Sequence, residues 1–154
     1  MKHKIFILSG PIRSGKTTRL KEWVINKNAG GILSPVVEGK RMFYDIQKGE
    51  YFPMEASMDE KDVLKVGRFI FSLKSFHRAE KIIVDAIEHS EWVVIDEIGP
   101  LELKGAGFCD VLKKILNDHQ KDFNLLLVVR DSILQEFLLF FRVKEFVLFV
   151  FPSS

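Results

Sequence analysis

A single cysteine, Cys109, among 154 residues excludes an intrachain disulfide, so packing and hydrogen bonding must hold the fold, and a reducing compartment is consistent with that. Charge of one sign is also scarce. The formal net charge is +2, with Lys and Arg scattered among acids, which leaves no electrostatic footprint for nucleic acid or a membrane surface. Long hydrophobic runs are missing as well. The stretch 133–151 is interrupted by Glu136, Arg142, Lys144 and Glu145, well short of the ~20 apolar residues that span a bilayer. The apolar run near Lys2 and Lys4 ends within about five residues, too short for a signal peptide. A soluble, cytoplasmic protein is therefore expected. His3, His77, His89 and His119 show no metal-ligand spacing, and no Cys-x-x-Cys accompanies them, so a zinc site is not indicated. What is present, 47% hydrophobic and 29% charged residues, is the composition of a globular protein, and the length suits one domain over 1–154.

Continuous apolar runs mark strands buried on both faces. Ile5–Leu8, Trp92–Ile95 and Asn124–Val129 fit this description, the usual sign of central positions in a parallel sheet. Between them the 3.6-residue period predicts helices. Thr17–Lys27 places Leu20, Trp23 and Val24 on one face and is ended by Asn28–Gly31, while Ser75–His89 and Phe108–Leu116 carry longer apolar stripes. From Gly31 to Leu73 the texture changes to short β-like segments, 32–37, 41–47, 51–55 and 66–73. The first three are separated by Glu38-Gly39-Lys40 and Lys48-Gly49-Glu50, predicting an antiparallel insert after the first helix. A short helix near Ser132–Leu139 and a strand near Phe146–Phe151 complete an α/β reading with a parallel sheet.

The chemistry sits at two strand ends. Gly10-Pro11-Ile12-Arg13-Ser14-Gly15-Lys16-Thr17 matches G-x-x-x-x-G-K-[ST] between a strand and a helix, the context that gives the match weight. Its glycines let backbone amides turn toward an anion, and the helix that follows directs its positive dipole end there; Thr18 lies next in line. Lys16 is placed to reach the β- and γ-phosphates of a nucleoside triphosphate such as ATP or GTP, and the Thr17 hydroxyl to ligate Mg2+. The second strand end delivers Asp96-Glu97, where ligands of parallel sheets collect. Asp96 suits the magnesium shell, and Glu97 suits a base that takes a proton from attacking water. Arg13, Arg41 and Arg130 are candidates to stabilise charge on the transferring phosphoryl group, with position favouring Arg41 and Arg130. Two other readings use the same loop: a nucleotide or small-molecule kinase, and a nucleotide-switched module that engages a protein partner through the insert. The chain shows no arginine-rich lid, and the paired carboxylates favour water as acceptor.

Several segments, in order, resemble the THEP-type, or cancer-related, nucleoside-triphosphatases. They are Ser14-Gly15-Lys16-Thr17-Thr18, Gly31 with Glu38–Ile46, Val66-Gly67-Arg68-Phe69, and above all Val94–Leu103. The resemblance implies a RecA-like P-loop fold with a parallel sheet flanked by helices. It also implies Mg-dependent hydrolysis of nucleoside triphosphates to diphosphate and phosphate with loose base preference. It assigns Lys16 and Thr17 to the phosphate loop, Asp96 and Glu97 to the carboxylate pair, and Arg41 to the family's Gly-Lys-Arg turn, with Arg130 alongside. The chain departs from the family's usual pattern at Pro11–Ser14 and Ile32–Pro35.

Overall fold

The computed structural model describes residues 4–11, 15–117 and 121–152. Among the described residues ten strands and five helices follow in chain order: β1 (Lys4–Gly10), α1 (Lys16–Trp23), β2 (Ala29–Leu33), β3 (Val36–Val37), β4 (Lys40–Asp45), β5 (Glu50–Pro53), β6 (Val63–Val66), β7 (Phe69–Ser72), α2 (Leu73–His89), β8 (Trp92–Ile98), α3 (Pro100–Leu103), α4 (Cys109–Asn117), β9 (Asn124–Arg130), α5 (Leu134–Phe140) and β10 (Val147–Leu148). Eight strands form one sheet in the order β10-β1-β9-β8-β2-β4-β3, with β5 also on β4, while β6 and β7 make a separate hairpin. The pairings from β10 to β2 are parallel, and β4 with its neighbours turns antiparallel. Ile98 to Leu101 leads through Gly99 directly into α3, a short helix not anticipated from periodicity.

The central strands are apolar on both faces because both faces are covered. Val93, Ile95, Leu125, Leu127 and Val129 join a core with Phe76, Ala79 and Ile83 of α2, Val111, Leu112 and Ile115 of α4, and Phe137 of α5. The alternate residues Val94, Leu126 and Val128 join Leu8, Leu20 and Val24 on the α1 side. Period-2 alternation thus sends successive side chains to opposite layers, with helices on each. Phe43 ties the insert to the larger core, meeting Phe52, Phe76 and Phe108 at ring-centroid distances of 5.1–5.9 Å. No described helix is long and apolar enough to cross a membrane.

Three segments differ from expectation. Asn28–Gly31 was expected to end the first helix and 32–37 to open an antiparallel insert. Instead α1 passes into a 3-10 turn over Val24–Asn26, and Ala29–Leu33 runs parallel to β8 inside the main sheet. The two glycines are the reason. A Cβ on Gly31 would lie 2.1 Å from the Val94 carbonyl oxygen, and one on Gly30 would lie 2.6 Å from Ser90 Oγ and 2.8 Å from Ala86 Cβ. Here glycine permits close backbone approach rather than terminating a helix. The second difference is at 66–73, where the expected single strand is the outer part of the β6–β7 hairpin, reversed at Gly67 with φ +58°. The strand expected over Phe146–Phe151 pairs only through Val147 and Leu148, as an edge strand with one partner.

Candidate functional site

The parallel register brings three chain segments to one end of the sheet. Gly10 and Arg130 are paired at the carboxyl ends of β1 and β9, and β8 ends beside them. Its pairing with β9 passes from Ile95–Leu127 to Ile98–Val129, so one extra residue stands in β8 where Asp96 and Glu97 lie. Such a bulge re-aims side chains next to sites. Opposite, Gly15 caps α1 with φ +81°, a left-handed conformation that glycine adopts without penalty, and Lys16 and Thr17 open the helix. Ile12, Arg13 and Ser14, expected in the phosphate cradle, lie outside the described residues.

Lys16 is 8% exposed, and its Nζ donates to the carbonyl oxygens of Gly10 at 3.2 Å and Pro11 at 2.6 Å. The loop carbonyls thus seat an ammonium at the mouth of the cradle. Thr17 Oγ1 donates to Asp96 Oδ2 at 2.8 Å, closing the gap between α1 and β8 across 79 residues of sequence. The same Oδ2 accepts the Ser34 N–H at 3.1 Å, and Ser34 Oγ donates to the Asp96 carbonyl oxygen. Asp96 is 1% exposed, yet its other carboxylate oxygen, Oδ1, is buried without a hydrogen-bond partner. Burial pushes this carboxyl up to about 6, against the opposing pull of the Ser34 and Thr17 hydrogen bonds.

An orphaned buried carboxylate oxygen beside a hydroxyl is the donor chemistry of a hard divalent cation. Thr17 and Asp96 therefore fit magnesium, with phosphate oxygens and water to fill the rest of its shell. No group of three or more His, Cys, Asp and Glu side chains that could hold a metal is found among the described residues.

Glu97 turns the other way. Arg130 Nε donates to its Oε1 at 2.9 Å, and the pair is about one-fifth exposed on each side. Arg130 also covers Gly99, where an added Cβ would meet its Nε at 3.3 Å. The structure thus joins two residues that the sequence nominated separately. Arg41 is elsewhere: its guanidinium lies 5.1 Å from the centroid of the Phe69 ring on the β6–β7 hairpin, and its backbone N–H donates to Glu55 Oε2 at 2.8 Å. Thr18 is exposed on the first turn of α1.

Two residues were not singled out from sequence. Ser34 could be placed beside Asp96 only by knowing that β2 runs parallel to β8. Glu102 did leave a signal, since Gly99-Pro100-Leu101-Glu102 has Pro at the first helical position and Glu at the third. Its Oε1 accepts the Gly99 N–H at 2.8 Å and its Oε2 the Phe108 N–H at 3.0 Å. Burial pushes its carboxyl up to about 7, although these N–H groups and the nearby Arg130 favour the ionised form. Glu102 thereby pins the loop on which Arg130 rests.

Comparison with known proteins places these features in a family. The model of a family described as NTPase matches residues 5–151. A nucleoside-triphosphatase THEP1 from Methanopyrus kandleri is 26% identical over 129 residues, covering 77% of this chain and 70% of the relative. The protein of the same name from Thermotoga sp. strain RQ2 is 30% identical over 122 residues, 75% of this chain and 69% of that one. Among solved structures, THEP1 from Aquifex aeolicus superposes with a TM-score of 0.73 at 23% identity, over 94% of this chain and 87% of that chain. A human cancer-related nucleoside triphosphatase gives 0.65 at 20% identity, over 100% and 90%. At these identities the structures attest the fold.

Proposed function

The chain belongs to the NTPase family, and from that membership we infer that it is a nucleoside-triphosphatase. The finer reading is magnesium-dependent hydrolysis to nucleoside diphosphate and phosphate with broad base preference. The observation that carries it is the Thr17–Asp96 hydrogen bond with Asp96 Oδ1 left bare, a hard-cation half-shell at the mouth of a phosphate loop.

In this reading the loop amides and Lys16 bind the triphosphate, Lys16 exchanging its carbonyl partners for phosphate oxygens. Thr17 and Asp96 would hold magnesium, which when bound neutralises charge on the β- and γ-phosphates. Glu97 takes the proton of the attacking water. Its partner Arg130 fixes the carboxylate and stands ready to meet negative charge as the γ-phosphoryl departs. Arg41 belongs to this scheme only if its guanidinium leaves Phe69, so its contribution is assigned to the nucleotide-bound state.

Steady-state phosphate release from a panel of nucleoside triphosphates tests this reading. Magnesium-dependent release from several nucleotides, with loss of binding or turnover in Lys16→Ala, is the expected outcome. Nucleotide binding by the wild type without phosphate release from any of them overturns hydrolysis.

A further inference from the structure

We propose that Arg19 and Phe151, backed by Phe149 and Trp23, form the platform on which the nucleobase stacks. This deepens the triphosphatase reading and rests on it. The sheet order sets the direction: β8, with Asp96 and Glu97, lies on the β9 side of β1, and β10 lies on the other. If the γ-phosphate faces the carboxylates, the nucleoside end of the substrate leaves the loop toward β10.

β10 runs parallel to β1, pairing Phe6 with Val147 and Ile7 with Leu148, and the Phe149 N–H donates to the Ile7 carbonyl at 2.8 Å. Because the two strands are parallel, Phe151, three residues past the end of β10, lies toward the Gly10 end of β1, where the phosphate loop begins. Arg19 approaches from α1, three residues and roughly 4.5 Å of helix rise beyond Lys16. Its exposed guanidinium sits 4.1 Å from the Phe151 ring centroid. Phe151 meets Phe149 edge-on at 5.2 Å, and Phe149 meets Trp23 edge-on at 5.1 Å, so the platform is braced against the α1-side core.

A guanidinium and a phenyl ring are the flat surfaces on which bases of any identity stack, since every base has a π-face. The opposite flank of α1 carries a comparable stack, but on the β4–β5 side of the sheet, away from β10. There Lys21 lies over the Tyr44 and Tyr51 rings at 5.0 and 4.9 Å and donates to the Tyr51 hydroxyl. A stack without edge-reading groups binds purines and pyrimidines alike, with purines favoured by their larger face.

The test is equilibrium binding of ATP, UTP and inorganic tripolyphosphate, each with magnesium, to wild type, Arg19→Ala, Phe151→Ala and Phe151→Trp. Loss of stacking should raise the ATP and UTP dissociation constants by about 5- to 100-fold in both alanine variants, ATP more than UTP. Tripolyphosphate affinity should stay within about twofold, and Phe151→Trp should restore nucleotide binding. Arg19 is exposed, so its truncation removes the guanidinium from the Phe151 ring while leaving the buried core intact. Unchanged nucleotide affinity in Arg19→Ala, or equal weakening of all three ligands, overturns the proposal. If wild type binds tripolyphosphate as tightly as ATP, the platform alone fails; if it binds none of the three, the phosphate-loop reading fails with it.

Discussion

Asp96 and Glu97 are neighbours in one strand, yet they stand in opposite environments. Asp96 faces α1 and β2, fully enclosed, with Thr17 and Ser34 on one carboxylate oxygen and nothing on the other. Glu97 faces β9, partly exposed, and is already matched by Arg130. A bulge at the end of β8 thus gives adjacent acids different surroundings, which on the proposed reading serve as a cation half-site and a water half-site. One carboxylate has an oxygen without a hydrogen-bond partner, and the other is held in place by a fixed charge. Pairs of acids whose environments diverge in this way are suited to different roles.

The sharpest way to separate the two is to neutralise each without changing its shape. On the proposed reading, Glu97→Gln loses the proton acceptor, and kcat falls by about 10²- to 10⁴-fold while nucleotide affinity holds. Asp96→Asn should instead raise the magnesium concentration needed for half-maximal turnover. It should also raise the melting temperature of metal-free protein at pH 8, because burial of the ionised carboxyl opposes folding there. Magnesium titrations of phosphate release, with melting curves for both variants, decide the matter. Equal effects of the two substitutions on both readouts would show one shared role.

The next largest effect breaks the Asp96 side through the backbone. Gly31→Ala places a methyl group 2.1 Å from the Val94 carbonyl oxygen at φ +111°, so β2 must shift away from β8. Overpacking and backbone strain together cost about 3 kcal/mol. Denaturant unfolding should show that loss, and magnesium dependence should weaken because Ser34 follows β2 directly. Retention of wild-type stability would mean that the strands are not held as closely as described.

How far the sequence discloses these regions follows from the kind of signal each uses. β1, β8 and β9 are legible because burial on both faces writes a continuous apolar run. Lys16, Thr17 and Asp96 stand out in the sequence as the residue types that phosphate and cation chemistry would use after those strands, and the structure brings Thr17 and Asp96 within hydrogen-bond distance. β2 is hidden by Gly30 and Gly31, whose lack of side chains is what lets the strand fit and also what makes it read as a break. Ser34 is hidden with it, since its place beside Asp96 depends on a pairing between residues about sixty apart. Arg130 and Glu97 were both nominated by position, but that they bond to each other is a property of the β8–β9 register. Arg41 shows the reverse case: motif position nominated it, and the fold puts its guanidinium against Phe69.

The smallest expected effect belongs to the Glu97 side and reads it through pH. Glu102 supports Gly99, over which Arg130 lies, and its carboxyl keeps a proton up to about pH 7 in the folded protein against 4.5 ordinarily. Folding therefore binds a proton between those values. The stability Glu102 contributes is fully present below about pH 4.5 and is lost as the pH rises through 7. Glu102→Gln cannot ionise, and its amide keeps only one acceptor oxygen for the Gly99 and Phe108 N–H groups, so it should melt below wild type at pH 5.5. As the pH approaches 8 the wild type loses its advantage and the two melting temperatures should converge, by a few degrees over the range. Subtracting the two profiles removes every other titrating group. Parallel profiles would mean that Glu102 ionises as readily in the fold as in the unfolded chain, and that the loop carrying Arg130 is held by hydrogen bonds alone.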